Sequence, residues 1–89
     1  MATVRLRGPL KRLAGDCAEH AVEGSTVAEV LRALERAQPS LDGWILDERG
    51  RVRRHINVFV AGEAVRSEEA PVAPGDAVDV LPAISGGSG

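Results

Sequence analysis

Aromatic residues are almost absent. Trp44 and Phe59 are the only two in 89 residues, and there is no tyrosine. The core must therefore be aliphatic. No basic run is interleaved with aromatic rings, so nothing indicates nucleic-acid binding. Cysteine is limited to Cys17, which excludes an internal disulfide framework and a cysteine-cluster metal site. Two separate histidines, His20 and His55, have no carboxylates at ligand spacing, so no metal is expected. No apolar run is long enough to span a bilayer, and Met1-Ala2-Thr3-Val4-Arg5 lacks the apolar stretch of a signal peptide. A cytoplasmic protein without membrane contact is the expectation. Lysine is reduced to Lys11, and the net charge is only −2.

What remains is 44 % apolar and 27 % charged, ordinary for a single soluble domain. Thr3 to Arg7 alternates as a strand, and Gly8-Pro9 stops it. Pro9 to Ala14 can form a helical turn, Gly15-Asp16 a reversal, and Cys17 to Glu23 a second strand, half-buried at Cys17. Together they read as an antiparallel hairpin. Thr26 or Ser25 caps the one long helix, with Glu29 placed for a capping box. Val27, Val30, Leu31 and Leu34 form its apolar stripe, and Pro39 ends it near Gln38.

Beyond the helix, Leu41, Trp44, Ile45 and Leu46 are expected to tuck beneath it, before a surface turn at Asp47-Glu48-Arg49-Gly50. Ile56, Val58 and Val60 alternate in a third strand, which Gly62-Glu63 turns. Val72 is a further apolar anchor, and Pro74-Gly75-Asp76 a tight turn. Ala77 to Leu81 is the last strand, with Val78 and Val80 inward and Leu81 outward. The order predicts an α+β roll, a mixed four- to five-stranded sheet packed on one main helix, with the first and last strands adjacent and parallel. This is the β-grasp, or ubiquitin-like, arrangement. Residues 1–82 form the domain, and residues 83–89 a flexible tail of small residues carrying Gly86-Gly87.

Three stretches in order carry a resemblance: His55-Ile56-Asn57-Val58-Phe59-Val60-Ala61-Gly62-Glu63, then Val72 to Pro82 through Pro74-Gly75-Asp76, then Gly86-Gly87. Ending in Leu81-Pro82 and the glycine pair, they resemble the MoaD/ThiS family of ubiquitin-like sulfur carriers over nearly the whole chain. Leu81-Pro82-Ala83-Ile84-Ser85-Gly86-Gly87 is most similar to carriers that feed cysteine synthesis.

The resemblance implies a protein substrate rather than an enzyme. A partner related to ubiquitin-activating enzymes would use ATP to adenylate the terminal glycine. A sulfur donor would convert the acyl adenylate to a thiocarboxylate, and a biosynthetic enzyme would accept the sulfur. The carrier itself would bind no cofactor. The matching position is Gly87, preceded by Gly86. Residues 83–87 reach roughly 17 Å when extended, enough to thread a glycine carboxylate into a buried site.

Ser88-Gly89 departs from the family pattern, which ends at the glycine pair. The working expectation is removal of this dipeptide by a peptidase, such as a zinc-dependent one. Two other readings are an extraneous addition and activation of Gly89 itself. Phe59, Leu81 and Arg7, with Pro82 and Ile84, are the expected docking residues for the adenylating enzyme. Arg51, Arg53, Arg54 and His55 make a basic stretch, read as a solvated loop or a contact for an acidic partner surface. The rival readings are a protein modifier joined through Gly87 to a target lysine, the small subunit of molybdopterin synthase, and a binding module with an inert tail.

Overall fold

A computed structural model describes residues 1–65 and 67–82. The described elements are β1 (Ala2–Leu6), α1 (Pro9–Leu13), β2 (Glu19–Val22), α2 (Val27–Ala37), a 3-10 turn (Pro39–Leu41), β3 (Ile56–Val60), β4 (Glu63–Val65) and β5 (Ala77–Pro82). The strands form one sheet in the order β2-β1-β5-β3-β4. β1 and β5 are central and parallel, as expected, and the other pairs are antiparallel. This is the β-grasp roll.

One face of the sheet is covered and the other is open. Val4, Leu6, Val58, Val78 and Val80 are buried on the covered face against Val27, Val30, Leu31 and Leu34 of α2. Leu41, Ile45, Leu46 and Val72 close the core around them. Trp44 is a correction: it is 49 % exposed rather than tucked under the helix. Leu41, Ile45 and Leu46 already fill that space, and the backbone between them turns Trp44 outward.

The start of α2 is fixed more completely than a capping box alone would achieve. Thr26 Oγ1 accepts from Glu29 N at 3.2 Å, and Glu29 Oε1 accepts from both the N–H and the hydroxyl of Ser25 at 2.9 Å. Val27 N and Ala28 N, which a helix leaves without internal partners, donate to the carbonyls of Ala70 and Glu68. Val72 N donates to Ser25 O, so the 68–72 loop clasps the helix entry. Gly24 lets the chain before the helix pass close against the first turn of α2. Its φ is +152°, and a Cβ there would lie 2.7 Å from the backbone nitrogen of Val30.

Three boundaries differ from expectation. β1 ends at Leu6, leaving Arg7 one residue beyond it. β2 begins at Glu19, because the α1 reversal continues through Asp16 (φ 63°) and Cys17 N donates to Ala14 O. Cys17 therefore lies exposed in a turn, not half-buried in a strand. The third is β4, which replaces the turn expected at Gly62-Glu63. Val60 pairs with Glu63, so the loop is Ala61-Gly62 alone, with φ of 51° and 86°. Positive φ at both positions is the two-residue hairpin geometry that matches strand twist.

Candidate functional site

Alternation along the strands places one set of side chains on the open face. The register lines up Glu19, Arg5, Asp79, Phe59 and Ala64 as a single row crossing all five strands. One step toward the end of β5, Leu81 lies opposite Asn57, diagonal to Phe59. Phe59 and Leu81 are both half-buried and share this face, where the alternation of Val58 and Val60, and of Val78 and Val80, put them. Arg7 is exposed just past β1. Pro82 is the last residue of β5 and pairs with Ile56 on the covered side. Ile84, Gly86, Gly87, Ser88 and Gly89 lie outside the described residues.

Of the row, only Phe59 was singled out from sequence. Arg5 Nε lies 3.1 Å from Asp79 Oδ1. Both atoms are shielded from water, and neither has a hydrogen bond of good angle among the described residues, so the contact holds by charge. The signal was present in Val4-Arg5-Leu6 and Val78-Asp79-Val80, where a charge sits between two inward residues. Only the parallel register brings the two charges together.

The tail exit is flanked by two loops. Gly8 lies beside Pro82, 3.9 Å separating the proline Cγ from the position of an added Cβ. On the other side, Ile56 N donates to Arg53 O and Arg53 N donates to Ile45 O. The stretch before β3 is thereby held in a fixed path. Asp47 Oδ1 accepts from Arg51 N at 3.0 Å and Arg49 N at 2.8 Å. The Arg51 amide, helped by that of Arg49 and by the Arg53 and Arg49 charges, holds the Asp47 carboxyl below the usual carboxylate range. Val52 N donates to Glu68 Oε2 at 3.2 Å, and Leu46 N to Glu35 Oε2 at 3.1 Å.

Among the described residues, no three His, Cys, Asp or Glu side chains gather as a metal site, and no helix is long and apolar enough to cross a membrane. The ring nitrogen of His20 lies 2.9 Å from Cys17 O, a local contact within the turn. The open face carries one half-buried aromatic, one leucine and a neutralised charge pair beside a strand that leads directly into the tail. Such a face can hold another protein's surface.

A profile of the ThiS family matches residues 4–87. Small archaeal modifier protein 1 of Haloferax volcanii is 40 % identical over 63 residues, 71 % of either chain. A chain in the crystal structure of the BexX/CysO complex from Amycolatopsis orientalis superposes with a TM-score of 0.86 at 30 % identity, covering 96 % of this chain and 98 % of the other. CysO of Mycobacterium tuberculosis superposes with a TM-score of 0.84 at 27 % identity, covering 94 % and 100 %.

Proposed function

The chain belongs to the ThiS family of small ubiquitin-like carriers and modifiers, and on that premise we propose that it carries sulfur as a thiocarboxylate on Gly87. The observation that carries this reading is the extent of the family match, which ends on the second glycine of the Gly86-Gly87 pair. The position of β5 supports it: a central strand, hydrogen-bonded on both sides, leads into the tail and anchors it.

The chemistry runs in three steps. A peptidase, zinc-dependent in this proposal, hydrolyses the Gly87–Ser88 bond and frees the Gly87 carboxylate. A ubiquitin-activating-like partner then binds ATP. A carboxylate oxygen attacks the α-phosphorus, and pyrophosphate leaves. Sulfide released by a sulfur donor attacks the acyl carbon and expels AMP, leaving the thiocarboxylate for an accepting biosynthetic enzyme. The carrier contributes position rather than acid, base or metal. Gly86 and Gly87 have no Cβ to obstruct a narrow channel or an in-line approach to phosphorus.

Phe59 and Leu81 form the docking patch for the adenylating enzyme, with Arg7, Pro82 and Ile84 at its border. The likeness to a chain of the BexX/CysO complex supports a role carried out in complex with another protein. A cysteine or other sulfur-metabolite pathway is the proposed destination, and the cytoplasm the proposed compartment.

Intact mass spectrometry of the protein from its native host tests the proposal. The expected species has lost Ser88-Gly89 and has then gained the mass difference between sulfur and oxygen. Protein that always keeps an ordinary Gly89 carboxylate would rule the proposal out. A second reading, conjugation through Gly87 to target lysines, is favoured by the likeness to small archaeal modifier protein 1. Reducing, denaturing blots of host extract distinguish the two, because isopeptide-linked ladders survive and thioesters do not.

A further inference from the structure

Arg53 and Arg54 line a groove of about 210 Å³ beside the open face, together with Asn57, Phe59, Val65 and Glu68. The groove runs along β3 where β4 no longer pairs with it, since the β3–β4 register covers only Val58 to Val60 on the β3 side. Arg53 is held at both its N–H and its carbonyl. Its side-chain Nε is shielded from water and has no acceptor among the described residues. Such a donor is costly to leave unmade. Two nearby carboxylates are already engaged: Glu68 accepts from Val52 N, and Asp47 from the Arg49 and Arg51 amides. Arg54 is exposed.

The geometry points to this groove as the seat of an acidic segment of the protein that receives the tail. The guanidinium groups of Arg53 and Arg54 take its carboxylates, and Phe59 with Ala64, its neighbour on the same face, takes an apolar side chain. Guanidinium is matched to carboxylate in shape and charge. The mixed lining suits alternating acidic and apolar side chains better than a free anion. Position adds the second argument. Ile56, in the groove wall, pairs with Pro82, so the groove lies one strand away from the last described residue of β5. The identity of that protein rests on the reading of Gly87 given above, whereas the groove's preference for acidic peptide does not.

The test uses the full chain, isotopically labelled for NMR, and a blocked hexapeptide alternating glutamate and leucine. The expected result is chemical-shift change confined to the residues that line the groove, strongest at Arg53, Arg54 and Phe59. Affinity should fall at least about tenfold when glutamine replaces glutamate, or in Arg54→Glu with an unchanged unfolding midpoint. Equal binding of the glutamine peptide, shifts elsewhere, or indifference to Arg54→Glu overturns the proposal. A parallel assay measures ATP–pyrophosphate exchange by the host's adenylating enzyme. A raised KM for the Arg54→Glu carrier with kcat preserved supports the partner assignment, and an unchanged KM overturns it. Absence of exchange with the unsubstituted carrier counts against the Gly87 reading and leaves the peptide result to decide the groove.

Discussion

Arg5 and Asp79 face each other across the two parallel strands at the centre of the sheet, with Nε and Oδ1 3.1 Å apart. The facing atoms are covered, but the Arg5 side chain as a whole is 41 % exposed and that of Asp79 18 %, so water around the rest of both groups weakens the attraction. Arg5→Ala and Asp79→Ala should each cost no more than about 1 kcal/mol, with a coupling of about 0.5 kcal/mol in a double-mutant cycle. Urea unfolding of the four proteins measures both. A coupling of zero would mean that the two charges only share a neighbourhood.

The β3–β4 hairpin carries a removable strain. Ala61 holds a φ of 51°, where its Cβ crowds the following carbonyl, and Gly62 follows at 86°. Asparagine tolerates this conformation and is favoured before glycine in such turns. Ala61→Asn should stabilise the fold by up to about 1 kcal/mol, or roughly 4–8 °C in unfolding midpoint. Calorimetry decides it. A lowered midpoint would place the strain elsewhere.

Acid should loosen the entry to α2. The Ser25 N–H, and then the Ser25 hydroxyl, hold the Glu29 carboxyl below the ordinary glutamate range. A value lower in the folded chain than in the unfolded one contributes stability that is complete above the unfolded value. That contribution is lost as pH falls through the folded value. Glu29→Gln should therefore be less stable than the parent at neutral pH, and the gap should close in acid. Unfolding midpoints across the acid range follow the gap, and a constant gap would remove charge from the explanation.

The open face should be separable from the fold. Phe59 and Leu81 are half-buried on the face opposite α2, so Phe59→Ser and Leu81→Ser disturb no helix contact. Each is expected to weaken association with the adenylating enzyme by about tenfold or more, as truncation of a central apolar anchor commonly does. Circular dichroism should remain native. Isothermal titration against the partner gives the number, and unchanged affinity would move the docking surface off this face.

Much of the architecture was legible because it rests on period. The Val27, Val30, Leu31 and Leu34 stripe, with Thr26 and Glu29 before it, could only be an amphipathic helix with a capped start. Val78 and Val80 likewise placed Leu81 outward, and Phe59 followed from Val58 and Val60. What period does not carry was missed. Ala61 gives no hint that it accepts a left-handed conformation, so β4 passed as a turn. Trp44 looked like core because it is large and apolar, yet its neighbours had already filled the space. The Arg5–Asp79 pair and the row from Glu19 to Ala64 depend on register between distant strands, which no local pattern encodes.

The central place of β5 has a consequence for when the chain becomes itself. β1 and β3 both wait for a strand that emerges from the ribosome after them, and neither can complete its hydrogen bonding earlier. Contacts that join the two ends of a chain form late and slowly. The row of Glu19, Arg5, Asp79, Phe59 and Ala64 is assembled by the same event, because two of its junctions are made by β5. A chain in which β5 has not docked therefore lacks the row as a continuous surface. If the open face is the docking surface proposed above, completion of the sheet by its last strand is a condition for recognition.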